Sequence, residues 1–321
     1  MLTMQDVLDA RKRIEPYIYK TPLLRFPVMD DILGCEVYIK HEGFQKTGSF
    51  KIRGATNKIL SLTNEERAHG VVCSSSGNHA IGVACAAKAL GIKATIVMPE
   101  NANPAKLAGV REYGAETLLV GTLSSQREEK VKELAAQRRM VEVHPYADPY
   151  VASGQGTIGL EIMESEPGLD AVIVPIGGGG LSSGVSTAVK NIKPNVCVIG
   201  VEPEACPRYA LSIAAGECVG VESANTIADG TRTLKAVPSN FETIKKYVDE
   251  FANIDDANIE LAMYTLASKA RIIAEPSSVM GIAACIAGRI SGLNGKKVCF
   301  VLSGGNNNLN QLADILKKFN K

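Results

Sequence analysis

The 321-residue sequence has almost no net charge, no long uninterrupted apolar run and no segment that resembles a signal peptide. Lysine plus arginine total 35 against 34 for aspartate plus glutamate, which gives no support for a nucleic-acid or anionic-membrane partner. No run approaches the roughly 20 apolar residues of a membrane-spanning helix. The N-terminal segment MLTMQDVLDARKRIEPY is charged and helix-like. We therefore expect a cytoplasmic protein without a membrane segment.

The eight cysteines are scattered and contain no C-x-x-C pair, which argues against a disulfide or zinc framework. Hydrophobic residues make up 45% and charged residues 21%, as in an ordinary globular protein. The length exceeds that of one ordinary core and suits two packed lobes. Because the chain stops soon after its last predicted strand, no appended regulatory domain is expected.

Apolar strand-like runs alternate with helix-like segments along the chain. The strand-like runs are 71–73, 94–98, 117–120, 171–175, 196–201 and 297–302. The helix-like segments are 78–90, 105–113, 125–138, 157–164, 184–190 and 278–290. This alternation predicts an α/β fold of two lobes, with mostly parallel sheets and helices on both faces. We expect residues 66–146 to form the smaller lobe, and residues 1–65 with 147–321 the larger, with a cleft between them.

A glycine-rich loop follows the strand-like run 171–175 and opens a helix. It contains four consecutive glycines, Gly177, Gly178, Gly179 and Gly180, followed by Leu181. Backbone N–H groups in such a loop can converge on an anion, helped by the helix dipole. The segment matches neither G-x-x-x-x-G-K-[ST] nor G-x-G-x-x-G. It therefore predicts a phosphate site that belongs to neither a nucleoside triphosphate nor a dinucleotide.

Two further polar loops lie where strands are predicted to end, at 74–79 (SSSGNH) and 303–306 (SGGN). Open α/β sheets bind ligands at the carboxyl ends of their strands, so we expect these loops to share the cleft with the glycine loop. Lys51 lies between Phe50 and Ile52, and we expect Ser49 to cap a helix just before it. A lysine in a less polar site has a lowered pKa and suits imine chemistry.

Five motifs together resemble one known family: GSFKIRGA, SSSGNHA, GGGG, AEPSS and LSGGN, in this order. They look like the fold-type-II pyridoxal-phosphate enzymes, and most like their threonine/serine dehydratases and serine racemases. The resemblance runs from about Ile14 to Asn306. It implies a fold like that of tryptophan synthase β, a pyridoxal 5′-phosphate cofactor, an amino-acid substrate and a homodimer.

The resemblance also implies roles for individual residues. Lys51 matches the lysine that forms a Schiff base with the cofactor, and Phe50 packs near the ring. The phosphate loop corresponds to Gly177, Gly178, Gly179, Gly180 and Leu181. Asn78 matches the residue bonded to the phenolic oxygen, Glu275 stands close to the ring, and Ser303 faces the pyridine nitrogen. The loop that binds the substrate carboxylate corresponds to Ser75, Ser76, Gly77 and His79.

Ser303 has a consequence for the reaction. A neutral hydroxyl cannot hold a proton on the pyridine nitrogen as an aspartate would, so charge at the substrate Cα is poorly delocalised. Expulsion of a β-substituent is then favoured. The sequence therefore predicts an ammonia-lyase that converts L-threonine or L-serine into a 2-oxo acid and ammonia by β-elimination. A non-catalytic binding protein of the same fold is an alternative of another class, although it would need no reactive lysine.

Ser76 and Arg127 leave a second activity open. Racemisation needs an acid/base on the face of the cofactor opposite the lysine. Ser76 could supply it, as in serine racemases, or could only bond the loop backbone. Hydroxyaspartate dehydratases carry a serine there as well. Arg127 aligns with an arginine near the substrate of racemases and would also suit an acidic substrate, or it could be a solvated arginine on a charged helix.

Two positions depart from the racemase pattern. Glu202 matches a glutamate that ligates a divalent cation, but Arg208 stands where the aspartate ligand is expected. A guanidinium cannot ligate a cation and would repel one, so Arg208 argues against a metal at Glu202. Tyr146 stands where racemases usually have an asparagine near the cofactor.

Overall fold

The computed structural model describes residues 1–102 and 104–320. Its strands are Leu23–Arg25 (β1), Glu36–His41 (β2), Val71–Ser74 (β3), Ala94–Met98 (β4), Glu116–Leu119 (β5), Val141–Glu142 (β6), Ala171–Pro175 (β7), Cys197–Pro203 (β8), Glu250–Ile254 (β9) and Lys297–Leu302 (β10). Its α-helices are Met4–Ile14 (α1), Asp30–Leu33 (α2), Lys51–Leu60 (α3), Asn64–His69 (α4), Asn78–Ala89 (α5), Pro104–Glu112 (α6), Ser124–Arg138 (α7), Pro149–Ser165 (α8), Gly180–Ile192 (α9), Arg208–Ala215 (α10), Pro238–Tyr247 (α11), Asp256–Thr265 (α12), Met280–Ile286 (α13) and Leu309–Phe319 (α14).

The strands of the described residues form two sheets. The larger sheet has the order β1-β2-β10-β7-β8-β9, in which only β1 runs antiparallel to its neighbour. The smaller sheet has the order β5-β4-β3-β6 and is parallel throughout. The prediction of mostly parallel sheets in an α/β fold is confirmed.

Successive residues of β7 face opposite sides of the larger sheet and enter two different cores. Ile173 packs with the core formed by α12 and α13, whereas Val172 and Val174 pack with the core formed by α8 and α9. All five residues of this strand are buried. A strand that is covered on both faces has a continuously apolar sequence, which explains why β7 could be predicted from its sequence.

Several predicted helix boundaries are wrong. The helix expected at 157–164 begins at Pro149, because Asp148 caps it by accepting N–H bonds from Tyr150 and Val151. The helix expected at 278–290 is only Met280–Ile286, because Ser278 ends a 3₁₀ turn that begins at Pro276, and Gly288 adopts a positive φ of 66° just beyond the helix. Among the described residues, no helix has the length and apolarity needed to cross a membrane.

Helix α3, which begins at Lys51, is held at its first turns by close backbone contacts. A Cβ at Gly82 of α5 would lie 3.1 Å from the carbonyl carbon of Lys51, and one at Gly154 of α8 would lie 2.7 Å from the Arg53 carbonyl oxygen. Side chains at these positions would push the neighbouring helices away from α3. The two glycines therefore fix where the helix, and its first residue, stand between the sheets.

Beneath α3 lies a fully buried network of charged side chains. The Arg53 guanidinium donates to Glu42 (Nε–Oε2, 2.8 Å) and Glu161 (Nη1–Oε1, 2.6 Å). Lys40 of β2 donates to the other oxygen of Glu161 at 2.5 Å and to the Thr21 carbonyl at 2.6 Å. Each charge has an opposite partner, which is the condition for burial of ions. The network joins β2, α3 and α8 in one rigid unit.

Candidate active site

A cavity of about 470 Å³ is lined mainly by residues of the loops and helices that adjoin the two sheets. The carboxyl ends of β3, β7 and β10 reach it, so the three polar loops predicted to share a cleft do meet. Its walls include every residue that the resemblance assigned to the cofactor or the substrate: Phe50, Lys51, Ser75, Ser76, Gly77, Asn78, His79, Arg127, Gly177, Gly178, Gly179, Gly180, Leu181, Glu275 and Ser303. Glu202, which it assigned to a cation, does not line the cavity.

The glycine loop connects β7 to α9. Gly179 precedes the helix with φ 87°, a left-handed conformation that favours glycine. A Cβ at Gly178 would lie 2.1 Å from Cγ of Tyr146, and one at Gly179 would lie 2.4 Å from Oη of Tyr209. Only glycine fits against these two tyrosine rings. Because the first N–H groups of a helix have no intrahelical partner, the start of α9 offers donors and a positive dipole end to an anion.

Two residues that the sequence did not reveal support this loop. Asn240 donates through Nδ2 to the carbonyls of Gly178 (2.8 Å) and Tyr146 (3.0 Å). Tyr209 donates its hydroxyl to the same Gly178 carbonyl at 2.9 Å. The Gly178 carbonyl thus accepts two side-chain hydrogen bonds, which hold the glycine loop in place. No local pattern identifies either residue, because each reaches the loop from a distant segment.

Lys51 is held next to the Ser303 loop by backbone bonds. Phe50 N–H donates to the Ser303 carbonyl at 3.0 Å, and Gly305 N–H donates to Gly48 at 2.9 Å. The expectation that Ser49 caps α3 is wrong. Ser49 forms a bridge with Gly304 in the extended conformation, Phe50 occupies the N-cap position, and no side chain caps the helix. The Ser49 hydroxyl is buried without a hydrogen-bond partner within the described residues.

The Lys51 side chain enters the cavity and donates through Nζ to the Pro145 carbonyl at 2.8 Å. Burial lowers the pKa of Lys51 to about 8, although the Glu275 carboxylate opposes this shift. Roughly a tenth of the amine is therefore unprotonated at pH 7, far more than for an ordinary lysine. The sequence-based expectation of a lysine with a lowered pKa agrees with this environment.

Asn78, Glu275 and Asn306 form one hydrogen-bonded group on the cavity wall. Asn78 Nδ2 donates to both carboxylate oxygens of Glu275, at 2.8 and 2.9 Å, and Asn306 Nδ2 donates to Asn78 Oδ1 at 2.8 Å. Burial raises the pKa of Glu275 to about 7, against the bond from Asn78. The Asn78 side chain is thereby oriented by two neighbours, of which Asn306 was part of a predicted loop.

The loop after β3 contains the residues predicted to bind a substrate carboxylate. Gly77 N–H donates to Ser75 Oγ at 3.2 Å, so Ser75 makes a backbone bond of the kind that was one option for Ser76. Ser76 is exposed and lines the cavity. His79 is buried and its Nε2 lies 2.7 Å from the Val143 carbonyl.

Charged residues stand at the cavity edge. Arg127 is half-buried and donates to the carbonyls of Thr122 (3.2 Å) and Leu123 (3.0 Å), so it is not a fully solvated arginine. Lys106 of α6 forms a salt bridge of 2.9 Å with Asp229, which lies beyond β8 in the chain. This salt bridge spans the cavity between a residue of the smaller-sheet segment and one of the larger-sheet segment.

Arg208 occupies the neighbourhood of Glu202 beneath the glycine loop. Its buried guanidinium donates to the carbonyls of Cys206 (2.5 Å), Ile176 (3.1 Å) and Gly177 (2.7 Å), and Nη1 lies 3.8 Å from Glu202 Oε1. The Glu202 carboxylate accepts the N–H groups at positions 209 and 210, at 3.0 and 2.8 Å. Among the described residues, no group of three or more His, Cys, Asp or Glu is arranged to hold a metal ion.

The arrangement fits a phosphate-bearing aldehyde cofactor. The cradle at α9 suits the phosphate, Lys51 supplies a primary amine for a carbonyl carbon, and Phe50 offers an apolar surface. The Lys51 nitrogen lies 5.2 Å from the centre of the Phe50 ring. Asn78 and Ser303 supply polar groups on the same walls. The start of α9 would thus bind the phosphate of such a ligand, Lys51 its aldehyde, and Asn78 and Ser303 the polar atoms of its ring.

Comparisons with known proteins agree with this geometry. The profile of the family described as "Pyridoxal-phosphate dependent enzyme" matches residues 14–304. The chain is 43% identical to the L-threonine ammonia-lyase of Thermotoga maritima, over 99% of this chain and 79% of that protein. It is 39% identical to the L-threo-3-hydroxyaspartate ammonia-lyase of Saccharomyces cerevisiae, over 98% and 96%. The structure of maize serine racemase superposes with a TM-score of 0.93 at 37% identity, over 99% and 97%.

The chain therefore belongs to the pyridoxal-phosphate-dependent enzymes of fold type II. Within that family, its similar proteins are the threonine ammonia-lyases, hydroxyaspartate ammonia-lyases and serine racemases. The resemblance drawn from the five motifs is confirmed, and so is pyridoxal 5′-phosphate as the cofactor. The alternative of a non-catalytic binding protein is not supported, because the family that matches is one of enzymes and the lysine predicted to react lies in the cavity.

The Lys51 pKa of about 8 leads to a prediction for the apoprotein. Only the unprotonated amine attacks an aldehyde, so the rate of cofactor recombination should rise with pH and level off above about 8. An ordinary lysine, with a pKa of about 10.4, would let the rate rise for two further units. Growth of the visible absorption band after mixing with pyridoxal phosphate measures this rate. A rate that still increases above pH 9 would contradict the prediction.

Arg208 leads to a prediction for divalent cations. Because a fixed guanidinium already lies beside Glu202, Mg²⁺ should not bind there. We expect neither magnesium chloride nor a chelator to change the melting temperature or the rate of the holoenzyme. Thermal unfolding with increasing Mg²⁺ checks this, with Ca²⁺ and Mn²⁺ in parallel. A melting temperature that rises in a saturable way with any of the three would show that a cation binds despite Arg208.

Proposed function

We propose that this protein is an ammonia-lyase that dehydrates L-threonine and L-serine to a 2-oxo acid and ammonia. The observation that carries this proposal is the Lys51 amine, with a pKa of about 8, in a cavity where a neutral hydroxyl, Ser303, stands in place of a carboxylate. The amine suits proton transfer at the substrate Cα. The hydroxyl does not hold a full positive charge nearby, which favours loss of a β-substituent.

In this proposal, different residues bind the substrate, hold the cofactor and transfer the proton. The loop Ser75, Ser76, Gly77 and His79 binds the substrate carboxylate. The glycine loop with Leu181 would hold the cofactor phosphate, and Phe50, Asn78, Glu275 and Ser303, which line the same cavity, would hold its ring. Bound pyridoxal phosphate withdraws electrons from the substrate Cα and so acidifies its proton. Lys51 Nζ then removes that proton as general base.

The two histidines nearest Lys51 do not compete for this role. Burial, with a contribution from Lys51, lowers the pKa of His79 to about 3 and that of His144 to about 4. His144 Nδ1 accepts N–H bonds from Tyr146 (3.3 Å) and Ala147 (2.8 Å), so its proton resides on Nε2. Both rings are neutral at physiological pH. Lys51 is thus the base whose pKa matches the task.

Serine racemisation is the second candidate, and the position of Ser76 favours it. Its exposed hydroxyl lines the same cavity as Lys51 and is free of the backbone bond that Ser75 makes to Gly77. A second proton carrier would allow inversion at Cα.

Hydroxyaspartate dehydration is supported by a different observation. The cationic side chains of Lys106, Arg127 and Arg232 line the cavity and suit a second carboxylate on the substrate.

A substrate panel tests these activities together. Purified holoenzyme is incubated separately with L-threonine, L-serine and L-threo-3-hydroxyaspartate, and 2-oxo acid, ammonia and the D-enantiomers are quantified. We expect the highest rate of oxo-acid release with L-threonine. Formation of D-serine without pyruvate would replace the lyase by a racemase, and a preference for hydroxyaspartate would move the substrate to that diacid. The Ser76→Ala variant should keep elimination and lose any racemisation.

The proposal extends to domain division, assembly and location. Residues 66–146 would form the smaller domain, since every strand of the smaller sheet lies between positions 71 and 142. All eight cysteines of the chain lie in the described residues and are free, which supports a reducing cytoplasm. The family resemblance supports a homodimer. Size-exclusion chromatography with light scattering tests the dimer, and limited proteolysis tests the division near 65 and 147.

A further inference from the structure

Tyr146, which has no role in the reaction proposed above, packs its ring against the glycine loop. A Cβ at Gly178 would lie 2.1 Å from Cγ of Tyr146 and 2.4 Å from each Cδ atom, so the loop backbone lies against the face of the ring. The Tyr146 carbonyl accepts a hydrogen bond from Asn240 Nδ2 at 3.0 Å, which holds the backbone at this point. The residue is half-buried and lines the cavity. An aromatic surface is therefore held beside the phosphate cradle and remains partly open to a ligand.

The Tyr146 ring reaches from the glycine loop toward α7. Burial raises the pKa of Tyr146, and the Glu128 carboxylate of α7 raises it further, so the hydroxyl end of the ring lies within electrostatic reach of that helix. Ser124 and Arg127 of α7 also line the cavity. The ring thus forms the part of the cavity wall between the glycine loop and α7.

Of the apolar side chains that the described residues contribute to the cavity, Tyr146 is the accessible one beside the glycine loop. Pro175 and Leu181 adjoin that loop as well, but both are buried. Phe50 and Pro145 are half-buried, but they adjoin the lysine amine, which lies 5.2 Å from the centre of the phenyl ring and 2.8 Å from the proline carbonyl oxygen. An apolar group of a ligand on the phosphate side of the cavity would therefore meet the Tyr146 ring.

The order of groups around a bound substrate directs its side chain to this wall. In pyridoxal phosphate the aldehyde carbon lies between the phenolic oxygen on one side and the phosphate arm on the other. The phenolic oxygen is assigned to Asn78, and the substrate carboxylate to the adjoining loop with Ser75 and Ser76. The Cα proton faces Lys51. The substrate side chain is then left with the phosphate side, where Tyr146 packs on the glycine loop.

We propose that Tyr146 is a specificity-determining residue whose ring contacts the methyl group of L-threonine, so that the cavity prefers L-threonine to L-serine. This methyl group is what distinguishes the two amino acids, and with serine the same ring surface stays in contact with water. One such group in an apolar pocket changes affinity by roughly 10- to 200-fold. Because the wall is half-open, we expect about tenfold. The inference rests on the proposed function, for which it names the preferred substrate.

The experiment measures binding of two unreactive amino acids to the holoenzyme by isothermal titration calorimetry. L-2-Aminobutyrate and L-alanine differ by the same methyl group, and neither has a β-hydroxyl to lose. We expect the wild type to bind aminobutyrate about tenfold more tightly than alanine. Tyr146→Ala should abolish this preference, whereas Tyr146→Phe, which keeps the ring, should preserve it. The ratio of kcat/KM for L-threonine to that for L-serine should change in parallel.

Tyr150→Ala is the matched control. The Tyr150 ring does not line the cavity, and its centre lies 5.6 Å from the Arg13 guanidinium and 5.4 Å from the Lys58 ammonium. This variant should keep the preference for aminobutyrate. Tyr146→Leu still covers Gly178 and replaces the alanine variant should that one not fold, with a smaller loss of the preference.

The other outcomes overturn the inference. An unchanged preference in Tyr146→Ala would mean that the ring does not contact the methyl group. An equal loss in Tyr146→Phe and Tyr146→Ala would assign the discrimination to the hydroxyl, and a wild type that binds alanine as tightly as aminobutyrate would show no discrimination at all. If the affinities behave as expected but neither L-threonine nor L-serine yields a 2-oxo acid, the proposed function alone is contradicted.

Discussion

Replacement of Lys51 by alanine is expected to lower kcat for oxo-acid release by about 10³-fold. The variant loses the cavity amine whose pKa is lowered to about 8, and both neighbouring histidines are neutral and poorly basic. Cofactor phosphate should still bind at the glycine loop, because those contacts do not involve Lys51. Sodium borohydride should fix the cofactor to the wild-type chain but not to the variant, as mass spectrometry of the intact protein would show.

Lys46→Ala provides the control from the same segment. Lys46 is exposed, and its Nζ lies over the Tyr19 ring at 5.0 Å rather than in the cavity. We expect this variant to retain wild-type activity and covalent fixation of the cofactor. If Lys51→Ala still released oxo acid at a rate near that of the wild type, the base would have to be another group and the proposed mechanism would be wrong.

Replacement of Arg208 by methionine is expected to destabilise the protein by about 3–5 kcal/mol. Methionine keeps the length of the side chain but leaves the fully buried Glu202 carboxylate without its cation and three backbone carbonyls without a donor. Two of those carbonyls belong to Ile176 and Gly177 at the start of the glycine loop. The affinity for pyridoxal phosphate should therefore fall together with the melting temperature, as denaturant unfolding and cofactor titration would measure.

The double variant Glu202→Gln/Arg208→Met separates loss of charge balance from loss of loop support. Glutamine removes the uncompensated charge and can still accept one of the two backbone N–H bonds, so part of the stability should return. Cofactor affinity should stay low, because no donor reaches the Ile176 and Gly177 carbonyls. Equal stability of the double and the Arg208→Met variants would show that the charge of Glu202 contributes little. Affinity restored to the wild-type value would show that the guanidinium does not hold the loop.

The predictable parts of the fold were those with a strong local pattern. Strand β7 was found at its actual bounds because all its residues are apolar. Strand β2 was missed, since its sequence EVYIKH ends in charged and polar residues, and Lys40 is buried only because Glu161 neutralises it. That partner lies 121 positions away in the chain. The start of α8 was also missed, although Asp148-Pro149 is a recognisable pair of N-cap and first helical residue.

The candidate site divides in the same way. Lys51, the glycine loop and the Ser303 loop could be located from their motifs, and the structure brings all of them to one cavity. Tyr146 was noted only as a departure, and nothing local indicated that its ring would exclude a side chain at Gly178. Asn240 could not be found from the sequence, because its role arises from contacts with the distant residues Tyr146 and Gly178. The prediction that Ser49 caps α3 was wrong for a related reason: Ser49 forms a β-bridge with Gly304, a residue far away in the sequence.

The position of β10 has a consequence for biosynthesis. This strand is the last of the chain, yet it lies between β2 and β7 in the larger sheet. The smaller sheet can pair on the ribosome once residue 142 has emerged. The edges of β2 and β7 must instead wait for residues 297–302, which at roughly 5–20 residues per second takes on the order of ten seconds. During that interval the edges of β2 and β7 are unpaired and can pair with other chains, so we expect aggregation of the nascent protein to compete with folding until the central strand is made.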